Sequence, residues 1–209
     1  MNQVAQELLQ RIKQDGSING QVIKVDRFLN HMVDPLLMNR IGAELASRFS
    51  ESPIDKIITA ESSGIMIAQA MATHLGIPFI YAKKKRPLTM TGFFAASSYS
   101  FTKQESTTLY VSNEVLLPGE RLLLADDFFA VGSTYKVIEQ IIEQAEASLV
   151  GAAVIINKSE RRDIESILTL EELVGYVGAG GWGLEKILFK NYLHQQKWTC
   201  LCHQQRFSF

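Results

Sequence analysis

Two adjacent carboxylates, Asp126 and Asp127, close a short apolar run in "RLLLADDFFAVGSTYK", residues 121–136. A small-residue stretch follows, Ala130, Val131, Gly132, Ser133 and Thr134, and a helical pattern begins there. A glycine-containing turn that opens a helix presents unpaired N–H groups and the positive end of the helix dipole, a combination that holds anions. Glu61, Ser62, Ser63 and Gly64 form a second such turn, between "KIITA" (56–60) and another helical pattern. Two anion-accepting turns imply a ligand with two separate phosphate groups. The acidic pair repels phosphate, so it must face hydroxyl groups, or a cation that accompanies phosphate. A phosphorylated sugar meets every demand. Its 5′-phosphate would lie on the amides of 130–134, its hydroxyls against Asp126 and Asp127, and a second phosphate group over Glu61 to Gly64.

These turns need a frame. "KIITA", the helical stretch 62–76 that ends at Gly76, and "PFIYA" (78–82) read as a βαβ unit. "RLLLA" (121–125), a helix over about 133–147 and "GAAVIIN" (151–157) read as a second one. Parallel strands joined in this way form an open, mainly parallel sheet with helices on both faces, and ligands bind at the carboxyl ends of its strands. Before the first unit, residues 3–13 show an amphipathic helix and 21–25 a short strand. A firmer helix begins at Asp34, a capping residue, and Pro35, which suits a first helical turn. Its Leu37, Ile41 and Leu45 share one face, which Phe49 continues. The Ser-, Thr- and Tyr-rich segment 96–113 reads as a two-stranded antiparallel excursion with a mobile tip.

Composition narrows the class. The 209 residues are 46% apolar and 21% charged, enough to build one sizeable core. A formal charge of −1 disfavours a general nucleic-acid binder. Two cysteines, Cys200 and Cys202, exclude a disulfide framework. No signal peptide is visible, and no apolar run reaches the about 20 residues that cross a bilayer. The expectation is a cytoplasmic protein without membrane or nucleic-acid partners.

An apolar strand, two acidic residues and a small-residue phosphate loop resemble the type I phosphoribosyltransferases, which use phosphoribosyl pyrophosphate (PRPP). "VIKVDRFLNHMVDPLLMNRIG", "ESSGI", "SYSFTKQ", "DDFFA" and "NKS" resemble the bacterial xanthine enzymes of that family, in order and at compatible spacing, over roughly residues 5–163. The resemblance implies the family's α/β fold with a small N-terminal hood and a flexible antiparallel loop. It implies purine salvage: PRPP plus xanthine gives xanthosine 5′-monophosphate and pyrophosphate, with Mg²⁺ accompanying PRPP and pyrophosphate and no side-chain metal ligand assigned. Asp126 and Asp127 would face the ribose as positive charge develops on it. Lys84, from "KKKRP" (83–87), and the amides of 62–64 would meet the leaving pyrophosphate, and 98–104 matches a closing loop. Ile23 and Asn30 match residues that flank the base, Asn30 being the candidate for the second oxo group. Lys158 matches a lysine that meets an exocyclic oxygen, and its donors favour oxo-purines over adenine. The family is generally dimeric, so a homodimer is expected. Guanine or hypoxanthine as the accepted base, and a PRPP-binding regulator without catalysis, are the alternatives.

The resemblance has two gaps. Val131 stands where the family usually has a Thr, Ser or Asn that reaches the 5′-phosphate. Beyond Asp163 the likeness fades, so the chain divides into a phosphoribosyltransferase domain (1–163) and a divergent C-terminal segment (164–209). Within that segment "GAGGWG" (178–183) fits a dinucleotide fingerprint in letters only, because too little chain follows it for a βαβ unit. His194, Cys200, Cys202 and His203 are spaced too tightly for a usual zinc site.

Overall fold

The computed structural model describes residues 1–19, 22–100 and 105–179. "GAGGWG", apart from its first two residues, and the four His and Cys residues of the tail lie outside them, as does much of the expected closing loop.

A parallel sheet is built from β3 (Lys56–Ala60), β4 (Phe79–Ala82), β7 (Arg121–Phe129), β8 (Ser148–Asn157) and β9 (Ile164–Thr169), in the order β4-β3-β7-β8-β9. The first expected βαβ unit is present as β3, α3 (Gly64–Leu75) and β4. The second is β7, α4 (Ser133–Gln144) and β8. From β3 the chain crosses outward to β4, and from β7 it crosses the opposite way to β8. The strand order therefore reverses between β3 and β7, where an open α/β sheet leaves a crevice at its carboxyl edge.

Alternation along the strands fills two cores. Ile57, Leu123, Ala125, Ala153 and Ile155 face α3, α1 (Gln3–Asp15) and α2 (Pro35–Ser47). Ile58, Leu122, Leu124, Ala152 and Val154 face α4 and the hairpin of β5 (Phe93–Ser100) and β6 (Glu105–Ser112). Asp34 caps α2 as expected, its carboxylate accepting from Leu36 N and Leu37 N at 3.1 Å, and Pro35 occupies the first turn. Gly76 ends α3 in the left-handed region with φ 69°.

Four details depart from expectation. The short strand at 21–25 is instead the second half of a hairpin, β1 (Ser17–Asn19) with β2 (Val22–Lys24), followed by a π-helical turn, Asp26–Asn30. The antiparallel excursion begins earlier, at Phe93, because β5 pairs with β6 along its whole length and Gln144 of α4 bonds the main chain of Ala95 on both sides. β7 continues to Phe129, so the acidic pair sits inside a hydrogen-bonded strand. β9 and α5 (Leu170–Ala179) extend ordered structure past Asp163, and Leu173 of α5 joins the core on the α2 face. No helix among the described residues is long and apolar enough to cross a membrane.

Candidate active site

β3 pairs with β7 from Lys56 to Ile58 and then parts from it, while β7 stays paired with β8 as far as Phe129 and Asn157. The space opened at the strand ends holds both anion-accepting turns. The turn 61–64 leads into α3 and 130–132 leads into α4. Away from this edge, α1 is capped by the Asn2 side chain and α2 by Asp34. Neither α3 nor α4 has a side-chain cap. Their first-turn N–H groups are thus left for an outside acceptor.

Two glycines make the close approaches. Gly64 is wedged where an added Cβ would lie 2.1 Å from Thr59 Oγ1 and 2.8 Å from Asp126 Oδ1. Gly132 has φ 72°, and a Cβ there would meet the Phe129 ring at 2.9 Å.

A cavity of about 260 Å³ lies between the turns, and Glu61, Ser63, Lys84, Ser98, Asp126, Asp127 and Thr134 reach its walls. A neighbouring cavity of about 200 Å³ follows the loop 130–135 and shares Asp126, Phe128 and Thr134 with the first. The two acids, both turns, Lys84 and the hairpin are therefore brought together as expected. Gly64 lies beneath the first turn, and Ser62 on its exposed side. Ala130, Val131, Gly132 and Ser133 line the second cavity, with Val131 78% exposed.

The acids are held tightly. Asp126 Oδ1 accepts from Asp127 N at 2.9 Å, and Asp127 Oδ1 accepts from Phe128 N at 2.9 Å. Burial, and then the charge of Asp127, push the Asp126 carboxyl well above the usual carboxylate range. Glu61 is drawn sideways: its carboxylate accepts from Lys84 N, and its own N–H bonds Ala82 O at 3.0 Å, which ties the turn to the end of β4.

The residues expected at the base divide. Asn30 ends the π-helical turn and its Nδ2 donates to Asp127 Oδ2 at 3.4 Å. Lys158 follows β8; its N–H bonds Phe129 O at 2.7 Å and its ammonium lies 4.8 Å from the centre of the Phe128 ring. Burial lowers the Lys158 pKa, and Asp127 partly opposes this. Ile23 lies on β2, buried in the core of the α2 face, and is absent from the walls of both cavities.

Three participants escaped sequence reading. Thr59 is buried with its hydroxyl unpartnered beneath Gly64. A lone hydroxyl in the otherwise aliphatic end of "KIITA" was the available signal. Thr107 and Leu109 of β6 also wall the cavity, which only the hairpin's pairing could reveal. Arg161 packs over Tyr135 (4.7 Å) and Phe129 (5.5 Å), pairs with Asp163, and braces the loop that carries Lys158 through Asn157 Nδ2, which donates to Arg161 O at 2.8 Å.

Comparison with known proteins agrees with this geometry. A family model described as phosphoribosyl transferase domain matches residues 33–170. The xanthine phosphoribosyltransferase of Exiguobacterium sp. is 44% identical over 155 residues, 73% of this chain and 80% of the relative. That of Heliobacterium modesticaldum is 41% identical over 158 residues, 75% of this chain and 84% of the relative. Among solved structures, adenine phosphoribosyltransferase from Thermoanaerobacter pseudethanolicus superposes with a TM-score of 0.65 at 19% identity, over 77% of this chain and 99% of that one. The Trypanosoma brucei adenine enzyme, in complex with AMP, pyrophosphate and ribose-5-phosphate, gives 0.65 at 16% identity over 81% of each chain. At such identities these two speak for the fold alone. Sheet order, the acidic pair between two uncapped helices and the matched family model lead to one conclusion: the chain belongs to the phosphoribosyltransferase family, with the type I fold.

Proposed function

We propose that this protein transfers the 5-phosphoribosyl group of PRPP to xanthine, giving xanthosine 5′-monophosphate and pyrophosphate in purine salvage. The observation that carries the proposal is the acidic pair fixed between two anion-accepting helix ends. Identity of 44% to a xanthine phosphoribosyltransferase supports the choice of base.

On this reading the N–H groups of 130–134 take the 5′-phosphate. Those of Ser62, Ser63 and Gly64, with the Lys84 ammonium, take the pyrophosphate. Glu61 shapes that turn through its bond to Lys84 N. Asp126 and Asp127 face the ribose hydroxyls, and their charge favours the positive ribose that forms as pyrophosphate leaves. Lys158 meets an exocyclic oxygen of the purine, and Asn30 closes the other side of the base. Ile23 contributes by supporting the hairpin ahead of Asn30, since it lies within the core. Residues 98–104 close over the ligand and exclude water.

Among the described residues no three His, Cys, Asp or Glu side chains converge on a metal position. Mg²⁺ therefore fits here as a companion of PRPP, held by the oxygens of its pyrophosphate and ribose and by water. When bound, it offsets charge on the leaving group.

We assign residues 1–163 to the transferase domain and 164–209 to a C-terminal segment whose β9 and α5 pack onto that domain. The enzyme is further read as a cytoplasmic homodimer that needs neither nucleic acid nor membrane. The apolar face of α1, including Leu8, Leu9 and Ile12, is consumed in the subunit's own core, so pairing must use another surface.

The test is a nucleotide-formation assay with PRPP and xanthine, guanine, hypoxanthine or adenine, with and without Mg²⁺. Xanthine is expected to be the best acceptor and Mg²⁺ to be required. Adenine as the best acceptor refutes the base assignment. Bound PRPP without pyrophosphate release refutes catalysis. Light scattering on the eluted protein measures the oligomer.

A further inference from the structure

The Asn30 side chain is half used. Its amide nitrogen donates to Asp127 Oδ2 at 3.4 Å, while its Oδ1 is buried and has no hydrogen-bond partner. Flipping the amide does not repair this, because it turns an acceptor toward a carboxylate that can only accept. The carboxylate itself is oriented, since its other oxygen holds Phe128 N at 2.9 Å. The turn that presents Asn30 is pinned by Phe28 and Leu29, both buried, with the Arg11 guanidinium 5.7 Å from the centre of the Phe28 ring.

We infer that Asp127 orients the Asn30 amide so that its carbonyl oxygen accepts the N3–H of xanthine. The inference rests on the proposed transfer reaction, in which Asp127 faces the ribose hydroxyls. A group bonded to Asp127 then lies beside the purine edge nearest the ribose, and that edge carries N3. Neutral xanthine has hydrogen on N3. Guanine, hypoxanthine and adenine have a lone pair there, which opposes Oδ1. Reading the second oxo group, the task first expected of Asn30, needs the donor end of the amide, and Asp127 already occupies that end. The labour divides accordingly: Lys158 donates to a purine oxygen and Asn30 accepts from a ring nitrogen. Asp127 thereby acts on base choice as a positioning residue, in addition to its place beside the ribose.

Steady-state kinetics with PRPP and xanthine, hypoxanthine or 2-thioxanthine test this on the full chain. Asn30→Ala is expected to lower kcat/KM for xanthine about ten-fold, as for loss of one buried hydrogen bond, and to change hypoxanthine by less than about two-fold. Asp127→Asn lets the amide turn either way, so it should narrow the same ratio as well as lower kcat for both bases. 2-Thioxanthine keeps N3–H but carries a poor acceptor at C2. With the wild-type protein it should stay within about three-fold of xanthine, because the hydrogen bond that counts is retained. A xanthine-to-hypoxanthine ratio unchanged in both variants overturns the inference. So does rejection of 2-thioxanthine as strong as that of hypoxanthine, a result that needs no variant to fold. Nucleotide formation from none of the bases is a different result, which removes the transferase reading and this inference with it.

Discussion

At the scale of single residues, the site shows which side chains sequence alone could identify. Asp126 and Asp127 were legible because two charges at the end of an apolar strand have no structural excuse. Lys158 and Asn30 were legible through resemblance only. What Asn30 touches was not, since the bond to Asp127 joins residues 97 positions apart. Val131, 78% exposed on the phosphate loop, offers no hydroxyl there. A charge-assisted hydrogen bond contributes roughly 1.5 kcal/mol or more, so Val131→Thr is expected to lower KM for PRPP about ten-fold with little change in kcat. An unmoved KM would mean that Ser133 and Thr134 already satisfy the phosphate. Thr59 carries a buried, unpartnered hydroxyl in the empty site. Thr59→Val keeps the shape and removes the orphan group, so the unfolding free energy should stay level or rise by up to about 1 kcal/mol. A clear fall in the urea midpoint would instead reveal a partner for that hydroxyl.

At the scale of elements, the strands and helices nearest the ligand were the easiest to read. Gly76 ended α3, Asp34 opened α2, and short aliphatic runs marked β3, β7 and β8. β9 was missed although "IESILT" alternates, with Ile164, Ile167 and Leu168 buried, because attention stopped where resemblance faded. The opening of the β5–β6 hairpin was missed because "FFAAS" has no polar alternation; its pairing partner and α4 decide its structure. At the far edge of the sheet, Asp55 clips β3 to β7, accepting from Arg121 N at 2.8 Å, Nε at 2.9 Å and Nη2 at 2.8 Å. The hydrogen bonds from Arg121 hold the Asp55 pKa down at about 2. An unfolded aspartate titrates near about 4. A depressed folded pKa contributes stability above the unfolded value and loses it as pH falls through the folded one. The difference in urea midpoint between wild type and Asp55→Asn should therefore be full above about pH 5 and should close toward pH 2. A difference that is flat across that range would assign the clip to geometry alone.

At the scale of the whole molecule, two cores press on one sheet while the ligand edge stays open. The fold class was legible from two βαβ units, since each fixes parallel pairing and a crossover helix. The site's position followed from the same topology, at the reversal between β3 and β7. Ligand that binds only the folded state stabilises it by mass action. PRPP with Mg²⁺ at a hundred times its dissociation constant is expected to add about 2.7 kcal/mol, a rise of roughly 5–10 °C in thermal midpoint. A midpoint indifferent to PRPP would contradict binding at this edge. The continuation of β7 through Asp126 and Asp127 to Phe129 has a last effect. The acids are links in the middle rung of a ladder, and they travel only when the ladder does. Tolerance to substitution should therefore be lowest along the neighbouring rungs β3 and β8, whose side chains never meet the sugar, and higher around the mouth of the pocket.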